Sequence, residues 1–274
     1  MSGQERVRSV DRAADILDVL AESMGGETVT AIAAAVGGSK SAVFTTLQTL
    51  CARGLVRSTG AGVDRRYALG LRLTYLGEQA LSRVSIREAA MPFLRRLTVA
   101  TGLTSRVVTR AENFAVAVGR VDNLEGVRFE LHMGQREYLH STSVGKAILS
   151  ALTDHEIRRT MAAVPMIRRT SRTILDLDAL IDEIELTRRR GWAIDDEEDA
   201  EGVVCVGAVV RDHSGRPAGG ISVTRLKSGL RPSDSERIGA LVAACAADVS
   251  FAMGYVAADR FGAREHELPG PART

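Results

Sequence analysis

The order of apolar and polar positions splits the chain into a helical first part and a mixed second part. Val10, Ala14, Leu17 and Ala21 recur at i, i+4, i+7 and i+11, the spacing of one helix face. Ser9 is placed to cap that helix, Asp11 suits the positive end of its dipole, and Gly25-Gly26 ends it. A short second helix is expected after Thr30 with Ile32, Ala35 and Val36 inward, and Gly37-Gly38 supplies the turn. Ser39 or Ser41 can cap a third helix whose inner face is Val43, Leu47 and Leu50, closed by Arg53-Gly54. Leu55 to Ser58 and Arg65 to Leu69 read as two short strands around Gly60 and Gly62. Leu73, Leu76, Ala80 and Val84 then mark a further helix whose exposed stripe can pair with a second subunit. Ser85 to Glu88 has capping-box spacing, and Pro92 interrupts or kinks the segment after it. The spacing predicts a first domain over 1–70 and a linker helix over 71–92.

Beyond Thr101 the period changes to alternation. "LTSRVVTR" and "FAVAVGRV" read as adjacent strands joined at Ala111-Glu112-Asn113, and "VRFELH" as a third. Helices come next over Val144–Leu152, Asp154–Met161 and Leu177–Arg190. Val203–Arg211 and Gly219–Leu226 are strands joined by the turn "DHSGRP", and Ser233 caps a last helix to about Ala258. Strands, helices, strands and a helix describe an α+β domain on an antiparallel sheet over 93–258, with an unpatterned tail over 259–274 that is expected to be disordered.

Charge gives the first part a task. Between Gly37 and Arg72 stand Lys40, Arg53, Arg57, Arg65, Arg66 and Arg72 against the single acid Asp64, a net of +5 in a chain whose total is +2. Two short helices across a glycine turn form a helix-turn-helix, whose second member enters the major groove of DNA. Its exposed N-terminal residues are expected to be Ser39, Lys40, Ser41, Ala42, Thr45 and Thr46, small and polar enough to let the helix backbone come close. Lys40 can reach a phosphate, and Arg65 and Arg66 at the edge of the adjoining hairpin, a wing, can reach the DNA backbone or minor groove. The partner read from these features is an operator in double-stranded DNA, bound by a dimer whose two copies read half-sites about one helical turn apart.

Other classes lose ground. No run of 18 apolar residues spans a membrane, and the polar N-terminus lacks a secretory core, so a cytoplasmic location is expected. Cys51, Cys205 and Cys245 lie far apart with no CxxC pair, against a zinc ribbon or disulfide framework. No cofactor, catalytic residue or metal ligand is expected.

The stretch "GWAIDDEEDAEGVVCVGAVV" holds six acids in seven positions (Asp195, Asp196, Glu197, Glu198, Asp199 and Glu201), with Cys205 in the apolar run beyond them. Residue types alone allow a metal site, a catalytic cluster, a pocket rim or a solvated turn. A metal sensor would join these acids to His132, His140 or His213, but adjacent acids without alternating spacing fail the calcium-loop pattern. A hydrolase would use Cys205, but no cysteine–histidine spacing and no G-x-S-x-G elbow accompanies it. Lys146 stands after Gly145 without the rest of a phosphate loop, since His140 occupies the position of the upstream glycine and Ala147 that of the Ser/Thr. Ser222 and Thr224, two apart on a strand, present both hydroxyls to one side, which suits a carboxylate or carbonyl oxygen.

Several segments together resemble the IclR-type (isocitrate-lyase-regulator) bacterial transcription factors over nearly the whole chain: "SVDRAADILDVLAE", "SKSAVFTTLQTLCARGLV" with "YALGLRLTYLG", "HSTSVGKAILSAL" and the acidic stretch continued to "GGISV". The resemblance implies a winged helix-turn-helix joined to a GAF-like effector-binding domain, self-association, and repression or activation governed by a small organic or aromatic acid. It implies a pocket formed by Ser143, Val144, Gly145, Asp195, Val203, Cys205, Ser222 and Thr224. On that reading Asp195 stands at the lip, Cys205 is a wall, and the other five acids are a solvated loop.

Overall fold

The computed structural model describes residues 7–23, 25–81, 85–123, 133–228 and 232–256. The chain forms two compact units, Met1–Arg83 and Val84–Thr274.

In the first unit, α1 (Arg8–Glu22) leads to β1 (Glu27–Thr28), α2 (Val29–Val36), α3 (Lys40–Ala52), β2 (Val56–Thr59), β3 (Arg66–Leu69) and α4 (Arg72–Leu81). The strands form one antiparallel sheet in the order β1-β3-β2. The hydroxyl of Thr28 accepts from the Ala31 amide to start α2, and Gly37, at φ 67°, closes it in the left-handed region where a side chain would be strained. Ser39 accepts from the Ala42 amide and starts α3. Ile16, Leu20, Ile32, Val43, Leu47 and Tyr67 are sealed in one core, and burying each large side chain contributes about 1.5–3 kcal/mol.

Two expectations fail here. The buried face of α1 is Ile16 and Leu20 flanked by Ala13 and Leu17, whereas Val10, Ala14 and Ala21 are exposed. Both sets have helical spacing, but the bulky pair removes more apolar area from water, and the two alanines do not compensate. Ser9 lies inside the helix, and the cap position is Val7 without a side-chain bond.

The second unit runs α5 (Ile86–Thr101), β4 (Thr104–Ala111), β5 (Phe114–Val121), β6 (Arg136–Tyr138), α6 (Ser143–Ser150), α7 (Asp154–Ala163), α8 (Leu177–Arg190), β7 (Ala193–Asp196), β8 (Val203–Arg211), β9 (Pro217–Leu226) and α9 (Pro232–Ala252). Six strands make an antiparallel sheet in the order β6-β5-β4-β9-β8-β7. Both faces are covered, which makes this an α+β domain with two cores. Leu94 and Leu97 of α5 and Val242 and Val249 of α9 meet Val107, Val206 and Ile221 on one face. Val144 and Ile148 of α6 and Leu180 and Ile184 of α8 meet Val108 and Ala115 on the other.

Helix α5 continues through Pro92, with Ala90 and Leu94 buried on either side of it. Ser85 is its cap residue but makes no side-chain cap bond, so the Ser85–Glu88 capping box does not form. A capping box does form at α7, between Thr153 and Glu156. The expected strand at 127–132 and tail at 259–274 lie outside the described residues. Short β6 and β7 have no separate signal in the hydrophobic pattern, since three or four residues are too few to show a period.

Candidate DNA-reading helix and candidate effector site

On α3, the inward Val43, Leu47 and Leu50 leave Lys40, Ser41, Phe44, Thr45 and Gln48 on the exposed side. Ser39 is exposed as the cap, and Ala42 and Thr46 are half-buried at the margin. The hydroxyls of Thr45 and Thr46 donate to the carbonyls of Ser41 and Ala42 at 3.0 Å, so each must rotate to meet a base or phosphate. Phe44, 43% exposed, and Gln48 join the residues expected on this face. Their signal was present in the sequence, because a helix that buries 43, 47 and 50 must turn 44 and 48 outward.

The wing bends at Gly60, where φ is 76° and a Cβ would stand 2.8 Å from the Asp64 carbonyl oxygen. Arg65 is half-buried, and Arg66 is exposed but donates to the Gly26 carbonyl at 3.0 Å, so Arg66 ties the wing to the start of β1. Arg57 on β2 is exposed.

In the second unit, register gathers residues far apart in the chain. Asp195 on β7 pairs with Cys205 on β8, Cys205 with Thr224 on β9, and Thr224 with Thr104 on β4. These four make a transverse row on one sheet face, each 6% exposed or less. The next row on that face is Ala193, Gly207, Ser222 and Arg106. The Cys205 thiol lies 3.4 Å from the Thr224 hydroxyl, and the Arg106 Nε donates to Ser222 at 3.0 Å. The other end of the Arg106 guanidinium is paired with Glu137 of β6. Burial is the largest single influence and opposes the Arg106 charge, but Glu137, with Cys205 and Asp195 adding to it, outweighs burial and holds the guanidinium more firmly protonated than usual.

Helix α6 lies over this face. A Cβ at Gly207 would stand 2.9 Å from the Val144 amide nitrogen and 3.0 Å from the Ser143 hydroxyl, so only glycine lets the first turn of α6 come this close. The Ser143 hydroxyl is buried with no hydrogen-bond partner among the described residues. Gly145 and Val144 do different work from that expected. The Gly145 amide is taken by the Thr142 hydroxyl at 3.1 Å, and a Cβ there would stand 2.4 Å from the Leu139 Cα. Val144 is sealed in the core beneath α6.

The acidic stretch is not a solvated loop. The Asp195 carboxylate accepts from the Glu198 and Asp199 amides at 2.8 and 3.2 Å. Glu198 is paired with Lys146, which is fully buried in α6. Asp196 and Glu197 meet Arg172 and Lys227, and Asp199 meets Ser141 and Arg169. The hydroxyls of Thr170 and Thr173 donate to the carbonyls of Glu197 and Glu198 at 2.6 and 2.7 Å, which clasps the loop's backbone. Only Glu201 of the six is exposed. The reason is topological: the segments carrying Arg169, Arg172 and Lys227 converge on this loop, and sequence spacing gives no sign of that. Val203, half-buried, stands at the loop's exit on the same face as Cys205.

These partners set the site's electrostatics. Burial first, then the nearby Glu198, push the Asp195 carboxyl up to about 7, against the pull of Lys146 and the two amides. Burial pushes the Cys205 thiol up to about 12, with Asp195 adding to it, so at neutral pH it is a protonated wall rather than a nucleophile. Burial lowers His140, whose Nε2 lies 3.1 Å from the Ile167 carbonyl, and His213 is exposed on the β8–β9 turn. Among the described residues no group of three or more His, Cys, Asp or Glu side chains is arranged to hold a metal, and His132 lies outside them. No helix among them is long and apolar enough to cross a membrane.

A winged helix-turn-helix on the same chain as a domain that buries hydroxyls, a thiol and charged groups on one sheet face defines a ligand-responsive, DNA-binding transcriptional regulator. Comparison with known proteins agrees. Residues 9–60 match the IclR helix-turn-helix domain, and residues 78–251 match the C-terminal domain of the IclR bacterial transcriptional regulators. The chain belongs to the IclR family. It is 33% identical over 250 residues to the HTH-type transcriptional regulator BhcR of Paracoccus denitrificans, covering 90% of this chain and 88% of that protein. It is 29% identical over 254 residues to the HTH-type transcriptional repressor AllR of Salmonella typhimurium, covering 92% of each. The crystal structure of the Agrobacterium tumefaciens repressor BlcR matches with a TM-score of 0.75 at 26% identity, over 93% of this chain and all of that one.

Proposed function

We propose that the protein is a cytoplasmic repressor that binds a palindromic operator as a dimer or tetramer and releases it on sensing a small organic or aromatic carboxylate. The observation that carries this reading is the buried row Asp195–Cys205–Thr224–Thr104 beside Ser222 and Arg106, because an apolar face would pack here without the desolvation cost of polar groups, and recognition of a polar ligand accounts for their presence. The Ser222 and Thr224 hydroxyls and the Ser143 hydroxyl, which has no partner among the described residues, supply donors for a carboxylate, and Cys205 and Val203 supply apolar wall. Ser39, Lys40, Ser41, Thr45 and Thr46 of α3 read the operator with Ala42 as a close-packing position, and Arg65 and Arg66 support the wing. Leu71, Tyr75 and Leu76 stand exposed together at α4, a stripe suited to a second copy. Two relatives described as repressors support the direction of control.

The test is a gel-shift titration on the intergenic DNA beside the protein's own gene, with a panel of organic and aromatic acids. The wild type is expected to release DNA with one of them. Joint replacement Ser222→Ala and Thr224→Val is expected to remove that response, and an unchanged response refutes the site.

A further inference from the structure

The buried face contains charge, but none of it is free. Among the described residues its two cations are already matched, Arg106 by Glu137 and Lys146 by Glu198. Their placement differs. Lys146 is fully buried beneath the acidic loop, with Glu183 as a second carboxylate at 4.0 Å. Arg106 stands in the row beside Thr104 and Thr224, with its Nε on Ser222. A carboxylate that reaches the Ser222 and Thr224 hydroxyls therefore comes up against a guanidinium that another carboxylate holds.

Glu137 is the more movable partner. It lies on β6, a three-residue strand that among the described residues pairs only with β5, while Arg106 lies on β4 between β5 and β9. The second carboxylate oxygen of Glu137 is buried with no hydrogen-bond partner among the described residues, so half of its capacity goes unused where it is. A buried acceptor without a partner is costly, which lowers the cost of moving Glu137 away. Strand β6 also leads within a few residues into α6, and the Thr142 cap hydroxyl donates to the Tyr138 carbonyl at 3.0 Å.

We propose that the Arg106–Glu137 ion pair is an anion gate, in which a carboxylate ligand takes the Arg106 guanidinium by displacing Glu137, and the freed β6 carries the change to the first turn of α6. The inference rests on the effector reading above and deepens it. The gate selects for charge: a neutral ligand of the same shape cannot replace Glu137 as the counter-ion of a buried guanidinium, whereas an anion can. Exchange of one carboxylate for another conserves the charge of the site. It also explains why a carboxylate sensor keeps an acid in its own pocket, because Glu137 stands in for the ligand and keeps the empty site folded.

The gate is tested by calorimetric titration of the full-length protein with propionate and benzoate, each against its neutral amide, propionamide and benzamide. Glu137→Gln leaves Arg106 uncommitted, and the preference for acid over amide is expected to rise at least tenfold over wild type. The double variant Arg106→Gln with Glu137→Gln carries neither charge and is expected to lose that preference. A Glu137→Gln preference no greater than wild type, or a double variant as selective as Glu137→Gln, overturns the gate. If Glu137→Gln does not fold, the double variant decides alone: loss of the wild-type preference supports the gate, and a preference equal to wild type refutes it. A wild type and double variant that release DNA equally with one acid leave the effector reading standing and remove the gate.

Discussion

In the winged helix, the side chains offered to DNA stand on the surface, come from one short stretch, and bond to their own backbone while they wait. In the second unit, the side chains offered to a small molecule are sealed inside, come from five strands and a helix, and bond to one another. The winged helix can lose any of its reading residues and still fold, because Lys40 or Thr45 contributes nothing to the core. The sheet face cannot, because removing one member leaves a buried partner exposed to the full cost of desolvation.

The sharpest test of that contrast is Lys146→Met. It strands Glu198 inside the protein and is expected to cost about 3–5 kcal/mol by chemical denaturation. Adding Glu198→Leu should recover most of the loss, and a single variant as stable as wild type would break the comparison. Gly145→Ala comes next, expected to cost about 1–3 kcal/mol because the methyl meets the Leu139 backbone. A melting temperature within a degree of wild type would show that α6 can shift aside.

Asp195 gives a pH signature. Its folded-state value of about 7 lies above the unfolded carboxyl value, so the folded protein holds a proton that the unfolded chain has released. Stability should therefore fall as pH rises from about 4 to 7, by up to about 1.4 kcal/mol per pH unit, with other groups superimposed. Asp195→Asn, which keeps an oxygen for the Glu198 and Asp199 amides, should flatten the curve in that window; an identical curve would place the carboxyl in water. The smallest effects on stability belong to the surface. Lys40→Ala should weaken binding to all DNA sequences alike and reduce the slope of log affinity against log salt by about 1, without moving the melting temperature. Gln48→Ala should instead relax preference at one base pair, at about 1–3 kcal/mol of discrimination.

The same contrast explains what could be read from the sequence. The first unit is built from neighbours three and four apart, so Ser39 as a cap, Val43, Leu47 and Leu50 as an inner face and the glycine turns all come from local spacing. Spacing alone misplaces the inner face of α1, because it gives two alanines the same weight as Ile16 and Leu20. In the second unit most strands and helices were legible, as were the hydroxyl pair Ser222 and Thr224, because alternation is local. Arg106 and Glu137 were not, because their significance lies in a register between β4 and β9 and a bridge to β6. The roles of Gly145 and Gly207 depend on which backbone presses against them, and no spacing shows that.

The transverse row has a consequence for how such a protein can be re-purposed. Thr104 and Thr224 are partners across the sheet, yet they are encoded near opposite ends of the domain. The reading face of α3 occupies one contiguous segment and can be exchanged as a cassette to redirect the protein to a new promoter. The sensor has no such cassette. A new ligand preference transplants cleanly only as the whole domain from α5 to α9, so in a chimeric switch the seam belongs between α4 and α5.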